Sequence, residues 1–244
     1  MKKLKLPIFI IICLLFTVPL KAEQLRIAVA ANFYSTLSLI KHEFEKTYDD
    51  KLIVIRGSTG KLYAQIKHGA PYDVFMAADV MRPQLLEKQQ LCVKNSRYTY
   101  ATGVLVLWSA ANKNDVLAKL KGGDFKKLAI ANPKTAPYGY AAKETLTALK
   151  LNNVVKNKIV YGENIAQAFQ FVQSGGAEIG FVAMSYVKPV SHEFWQVPEE
   201  LYSPLKQQMV ILKKSKQQRL AKKFVEFLKS NKIKNIIKQQ GYII

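Results

Sequence analysis

The sequence predicts an α/β protein of two lobes, and three observations carry that prediction. Apolar, often β-branched runs alternate with segments of helical periodicity, the pattern of sheet layers with a mostly parallel strand order flanked by helices. The alternation breaks once, over 98–109, where two apolar stretches follow each other with no helix between them, and then resumes. Four short turns fall in two pairs, one on each side of that break: Ala30-Ala31-Asn32-Phe33 and Gly57-Ser58-Thr59-Gly60, then Ala136-Pro137-Tyr138-Gly139 and Gly162-Glu163-Asn164-Ile165. Each turn follows a strand-like run and precedes a helical segment.

The elements follow in order. Residues 25–30 (Leu-Arg-Ile-Ala-Val-Ala) read as a buried strand, and 34–48 as a helix with Leu37, Ile40, Phe44 and Tyr48 on one face. The β-branched run 52–55 is a second strand. Leu62 and Ile66 mark a short helix, ended by Gly69 and blocked beyond it by Pro71. A third strand spans 74–77, and Leu85 and Leu86 sit in the helix after Pro83. The stretches 98–101 and 104–108, joined by Thr102-Gly103, form one extended segment that leaves the first lobe. A second series then begins: strand 128–131, helix 140–149, strand 158–161, helix 166–173 and strand 179–183. The strand 208–212 is placed to return to the first lobe. The final helix puts Leu220, Phe224, Phe227 and Leu228 on one face against it. The division expected is therefore 23–101 plus 206–244 for the first lobe and 102–205 for the second. Two extended crossings imply a hinge, an arrangement that closes around a ligand.

The N-terminus has a basic start (Lys2, Lys3, Lys5), an apolar run over 6–20 and a small-residue site at Leu20-Lys21-Ala22. That is the three-part pattern of a secretory signal peptide over 1–22, cleaved after Ala22. The run is short for a spanning helix, which needs about 20 residues, and Pro7 and Pro19 shorten it further. Cys13 lacks the small residues of a lipidation site. The chain is expected to work outside the cytoplasm, in the periplasm.

Of 244 residues, 37 are Lys or Arg and 17 Asp or Glu, a net charge of +20. Cleavage removes four lysines and no acid, leaving +16 on 222 residues, a length that suits two lobes of roughly 100 residues each. The lysines are spread over helix surfaces, and no interleaved aromatics accompany them, so nucleic acid is not the expected partner. A positive field of this kind attracts small anions and speeds their capture. After cleavage only Cys92 remains, so 23–244 has no internal disulfide, and Cys92 reads as a small buried apolar residue.

Signals for catalysis are poor. His42, His68 and His192 lie far apart and have no partners at metal-ligand spacing. Gly57-Ser58-Thr59-Gly60-Lys61 superficially resembles a P-loop, but Ile55 stands where its first glycine belongs and Leu62 where its final hydroxyl belongs. Asp73 and Asp79 bracket a strand without pairing as acid and base. No cation site and no cofactor are expected.

Each of the four turns has an ordinary explanation: Asn32, Ser58 and Asn164 are favoured helix caps, and Tyr138 can be a packing aromatic. Their combination is less ordinary. A helix start presents N–H groups with no internal acceptor and a partial positive charge, so two such turns on each jaw suit one small oxyanion.

These stretches resemble a known family. Ile27-Ala28-Val29-Ala30-Ala31-Asn32-Phe33, Gly57-Ser58-Thr59-Gly60 with Tyr63-Ala64-Gln65-Ile66, Gly69-Ala70-Pro71-Tyr72-Asp73-Val74-Phe75 and Ala77-Ala78-Asp79 do so in the first lobe. Asn132-Pro133 with Ala136-Pro137-Tyr138-Gly139, Glu163-Asn164-Ile165-Ala166-Gln167-Ala168 and Gly180-Phe181-Val182-Ala183 do so in the second. Together they are similar to the periplasmic molybdate-binding proteins of ABC transporters over essentially the whole mature chain. The resemblance implies the type II periplasmic binding protein fold, a molybdate or tungstate oxyanion held between the lobes by neutral donors, and delivery to a membrane permease with its ATPase. By position it implies Ala31, Asn32, Ser58, Tyr138 and Ile165 as the ligand set, in a monomer. Many members of the family have serine at the position of Asn32, and many have a tyrosine ligand near Ala183; this chain departs from both.

A donor-only site selects a fully ionised dianion, because a protonated phosphate would bury an O–H without an acceptor, at a cost of roughly 1–3 kcal/mol. Sulfate has the right charge and is smaller than the cavity that rigid donors would set. Glu163 would repel a dianion, so its side chain is expected to point into solvent. The alternatives to molybdate capture are binding of another oxyanion such as sulfate, or an exported hydrolase of phosphate or sulfate esters.

Overall fold

The structure, a computed structural model, describes residues 23–111, 115–191 and 193–244. The signal peptide expected over 1–22, with Cys13, and His192 lie outside the described residues.

Along the chain come β1 (Gln24–Ala30), α1 (Tyr34–Thr47), β2 (Lys51–Gly57), α2 (Thr59–Lys67), β3 (Val74–Met76) and α3 (Met81–Lys88). Two strands follow in immediate succession, β4 (Tyr98–Gly103) and β5 (Leu105–Trp108). Next are α4 (Val116–Gly122), β6 (Leu128–Ala131), α5 (Pro137–Ala148), α6 (Asn152–Val155), β7 (Ile159–Gly162) and α7 (Ile165–Gln173). The chain ends with β8 (Ile179–Ala183), α8 (Met184–Val187), β9 (Trp195–Gln196), β10 (Leu205–Ile211), α9 (Gln218–Lys229) and α10 (Asn231–Gln239).

The strands form two five-stranded sheets, ordered β2-β1-β3-β10-β4 and β7-β6-β8-β5-β9. Register explains why the turns meet. In the first sheet β1 and β2 run parallel, from Gln24 opposite Lys51 to Ala30 opposite Gly57, so both strands deliver their following turns at the same edge. In the second sheet β6 and β7 do the same, ending with Ala131 opposite Gly162. Ligands of open α/β sheets gather at these carboxyl ends.

The first sheet buries both faces, as period-2 alternation requires. Leu25, Ile27 and Val29 meet Leu37, Ile40 and Phe44 of α1 and Phe224 and Leu228 of α9. Ala28 and Phe75 meet Leu62, Ile66 and Leu86 from the other side. The core of the second sheet extends across the seam to Ala30, Ala31 and Ala78 of the first lobe. The two layers therefore share apolar packing beside the turns. Among the described residues no helix is long and apolar enough to cross a membrane.

Several expectations need correction. The sheets are mixed rather than mostly parallel. Each has two parallel pairings and two antiparallel ones, β3–β10–β4 in the first and β8–β5–β9 in the second. The cause is connectivity: the antiparallel strands are the crossing strands and their immediate neighbours, which enter each sheet without a crossover helix. The crossing over 98–109 is two strands, one in each sheet, separated at Val104.

Helix α5 begins at Pro137, three residues before the start read from periodicity, because proline is well suited to the first helical position. Helix α3 includes Pro83 in its first turn, where a missing N–H costs no helical bond. A further helix, α10, follows α9, and α4, α6, α8 and β9 were not anticipated. Helix α4 carried readable signals: the Asp115 carboxylate accepts from the N–H groups of Leu117 and Ala118, and Gly123 closes it at φ 72°.

Candidate anion-binding site

The four turns converge. Ala31, Asn32, Ser58, Tyr138 and Ile165 line one narrow cavity between the lobes, together with Ala30, Thr59, Ala78, Ala136, Pro137 and Asn164. All five are buried, none above 3% exposed. Among the described residues no Lys, Arg, Asp or Glu lines it. The cavity wall is thus built from helix starts, small side chains and neutral polar groups.

Ser58 is the most informative residue. It is the N-cap of α2, yet its side chain makes no capping bond. Its Oγ is buried and has no hydrogen-bond partner among the described residues. An unsatisfied buried hydroxyl costs free energy, and this one is on a cavity wall. Beside it the Thr59 Oγ accepts from the Ala78 N–H at 3.1 Å, which keeps its own hydroxyl hydrogen available.

The second-lobe turns leave N–H groups in the same way. At α7 the Asn164 Oδ1 accepts from Ala166 N–H (3.0 Å) and Gln167 N–H (3.2 Å), so the cap serves the second and third helical residues and passes over Ile165. At α5 the Ala136 cap has no side-chain acceptor to offer Tyr138. Gly139 lets this helix start sit against β6. A Cβ there would lie 2.1 Å from the Ala131 carbonyl oxygen, so only glycine fits.

In the first turn the polar atoms are sorted. Ala31 and Asn32 belong to a short 3-10 turn that runs directly into α1. The Ala31 carbonyl accepts from the Tyr186 hydroxyl at 2.5 Å, and the Asn32 carbonyl from Tyr242 (2.7 Å) and Ser185 (3.2 Å). These acceptors are occupied from behind. A hydrogen bond to the Ala31 carbonyl also polarises the peptide whose N–H is that of Asn32. The Asn32 side chain is occupied too: its Nδ2 donates to Gln207 Oε1 at 2.9 Å and to the Tyr242 hydroxyl at 3.2 Å. The Asn32 amide nitrogen therefore serves the seam.

Ala183 ends β8 as a buried alanine. Tyr186, one turn on, sends its hydroxyl to Ala31 and is not part of the cavity wall. Its ring stacks on Phe169 (5.2 Å), which stacks on Trp108 (5.1 Å). Periodicity could not find Tyr186, Tyr242 or Gln207, because their partners lie 57 to 210 residues away.

Burial pushes the phenols of Tyr100, Tyr138 and Tyr186 up, the first two well above their ordinary value, and that of Tyr242 up to about 12. All four are neutral hydroxyls at physiological pH.

Further bonds close the seam. The Gly60 N–H donates to the Thr135 carbonyl at 2.9 Å, and the Arg82 Nη2 to the Lys134 carbonyl at 3.4 Å. Glu163 is half exposed, as expected, but it is not free: it pairs with Lys61 of the opposite lobe at 2.9 Å. The pair cancels the local charge that would oppose an anion, and its exposure limits its worth to about 0–1 kcal/mol. Cys92 is buried, and burial raises its thiol pKa, which makes it unreactive.

The model of the bacterial extracellular solute-binding protein family matches residues 25–243. The molybdate-binding protein ModA of Azotobacter vinelandii is 47% identical over 228 residues, covering 91% of this chain and 90% of the relative. ModA of Rhodobacter capsulatus is 40% identical over 228 residues, covering 92% and 90%. Among solved structures, the periplasmic molybdate-binding protein of Azotobacter vinelandii superposes with a TM-score of 0.87 at 36% identity, covering 90% of this chain and 99% of that one. With two lobes around a cavity walled by helix starts and neutral side chains, and with similarity along nearly all of 25–243, the chain belongs to the bacterial extracellular solute-binding proteins.

Proposed function

We propose that this protein captures molybdate, and tungstate with it, between its lobes and delivers it to the permease and ATPase of an ABC importer. The observation that carries the reading is Ser58: a buried hydroxyl without a partner among the described residues, on the wall of an inter-lobe cavity whose described lining has no charged side chain. The proposed ligand set is Ala31, Asn32, Ser58, Tyr138 and Ile165. Backbone N–H groups of Asn32, Ser58, Tyr138 and Ile165 and the Ser58 hydroxyl donate, and Ala31 supplies close contact from its backbone.

The chemistry follows from the donor set. A tetrahedral dianion carries acceptors only, and here it meets donors on preformed turns. Helix-start dipoles balance its charge without lysine or arginine. Singly protonated phosphate presents an O–H that finds the first-turn carbonyls already taken by Tyr186, Ser185 and Tyr242. Size excludes sulfate, since donors fixed to two sheets cannot all contract onto a smaller ion. The ligand travels through the protein unchanged; binding and release are the whole activity.

The same reading places the mature chain in the periplasm as a monomer, after cleavage behind Ala22. It assigns 23–101 plus 206–244 to one lobe and 102–205 to the other. Calorimetry on the mature protein tests it: molybdate and tungstate bind one to one, and sulfate in large excess does not displace them. Absence of molybdate binding, or equal binding of sulfate, refutes it.

A further inference from the structure

Below the cavity, Gln207 stands where the two jaws and both crossing strands come together. It belongs to β10, the returning crossing, and is fully buried. Its Oε1 accepts from Asn32 Nδ2 at 2.9 Å, in the first-lobe turn, and from the Tyr100 hydroxyl at 3.0 Å, on the outgoing crossing β4. Its Nε2 donates to the Tyr138 hydroxyl at 3.3 Å, in the second-lobe turn. One side-chain amide therefore ties a cavity residue of each jaw to both strands that cross between them.

The surroundings are shaped for this contact. Gly103, at the end of β4, leaves the room that the Tyr138 hydroxyl and the Gln207 amide occupy. A Cβ there would lie 2.0 Å from the first and 2.6 Å from the second. Tyr100 is itself held, since its single hydroxyl hydrogen is shared between Gln207 Oε1 and the Ala77 carbonyl, each at 3.0 Å. Tyr242 adds a second strut on the Asn32 side, reaching Ser185 of the second lobe at 3.0 Å. Gln207 is fully buried, so each missing bond would leave a buried polar atom unpaired.

We propose that Gln207 is a positioning residue for oxyanion binding: its amide sets the distance between the Asn32 and Tyr138 turns in the closed protein and so holds donors from opposite lobes at the spacing one anion needs. The inference rests on the function proposed above. It predicts that anion affinity and lobe closure depend on the Asn32–Gln207–Tyr138 chain, although neither end of Gln207 lies on the cavity wall.

A double-mutant cycle tests it, with Gln207→Leu, Tyr138→Phe and the double variant. Tyr138→Phe keeps the ring and the backbone N–H and removes only the end of the strut. Molybdate affinity is read by calorimetry, and closure by small-angle X-ray scattering with and without molybdate. Each single variant is expected to bind about tenfold or more weakly, mainly through faster dissociation. The double variant should bind no more weakly than Gln207→Leu alone, because both changes cut one strut. The liganded variants should also scatter as more open particles. Tyr138→Phe affinity within twofold of the wild type, or single effects that multiply in the double variant, overturns the inference. If Gln207→Leu fails to fold, Tyr138→Phe alone decides. A wild-type protein that binds no molybdate refutes the proposed function instead, and scattering of unliganded Tyr138→Phe against the wild type then judges the strut: equal compactness overturns it.

Discussion

Replacing Ser58 by alanine separates ligand binding from folding, because the two effects have different signs. In the closed protein the Ser58 Oγ is buried with no partner, so alanine removes an unpaired polar atom and no intramolecular hydrogen bond. The unliganded variant should be as stable as the wild type or more so. In the proposed ligand set the same hydroxyl donates to the bound molybdate dianion. Hydrogen bonds to charged groups contribute about 1.5–3 kcal/mol, and 1.4 kcal/mol is tenfold in affinity. Ser58→Ala should therefore weaken molybdate about 10- to 150-fold.

The assay is calorimetry paired with thermal melts at fixed excess of molybdate. A hundredfold loss of affinity removes about 2.7 kcal/mol of ligand-induced stabilisation. At about 2–4 °C per kcal/mol for a chain of this length, that is roughly 5–11 °C of the ligand-dependent rise in Tm. An unliganded Tm unchanged or raised, with the ligand-dependent rise cut by that amount, meets the expectation. Unchanged affinity refutes the role of Ser58. A marked fall in the unliganded Tm refutes the premise that its hydroxyl is unpartnered.

Two further outcomes follow from the geometry. Gly139→Ala drives a Cβ to 2.1 Å from the Ala131 carbonyl oxygen, a backbone atom that cannot rotate away. The start of α5 must shift, at a cost of about 1–3 kcal/mol or more; the unliganded Tm falls and molybdate binding weakens together, and an unchanged Tm counts against the packing described. Alkaline pH should loosen the seam. The Tyr242 phenol is raised from 10.0 to about 12, first by burial, against hydrogen bonds from Ser185 and Asn32 that pull the other way. A raised folded-state pKa gives stability that is complete below pH 10 and is lost as pH rises through 12, roughly 3 kcal/mol for this group alone. Tyrosinate absorbance should lag that of free tyrosine and then rise as the protein opens; titration of all tyrosines near pH 10 with the fold intact contradicts the burial.

Strand–helix alternation was legible wherever a β-branched run met a helical period, and β1, α1, β2, β6 and β8 lie close to where the residues put them. The four anion-friendly turns were legible too, because Asn, Ser, Gly and Pro at strand-to-helix junctions are local signals. Signal strength failed where a rule of thumb overrode position. Leu85 and Leu86 put a helix after Pro83 and periodicity starts one at Tyr140, whereas the helices begin at Met81 and Pro137, because proline belongs comfortably in a first turn. Asp115 and Gly123 bounded a helix that alternation alone passed over.

The sequence by itself determined the two lobes and the four strand-to-helix turns that meet between them, since capping residues, turn glycines and hydrophobic period act over a few residues. Only the tertiary structure decided what those residues do beyond their neighbours. It turned the Asn32 amide nitrogen away from the cavity, left the Ser58 hydroxyl without a partner, paired Glu163 with Lys61, and brought Gln207, Tyr186 and Tyr242 to the seam. The physical reason is that hydrogen bonds such as Asn32–Gln207 and Asn32–Tyr242 join residues 175 and 210 positions apart. Their geometry is set by how two mixed sheets pack across two crossing strands, and no local pattern encodes it.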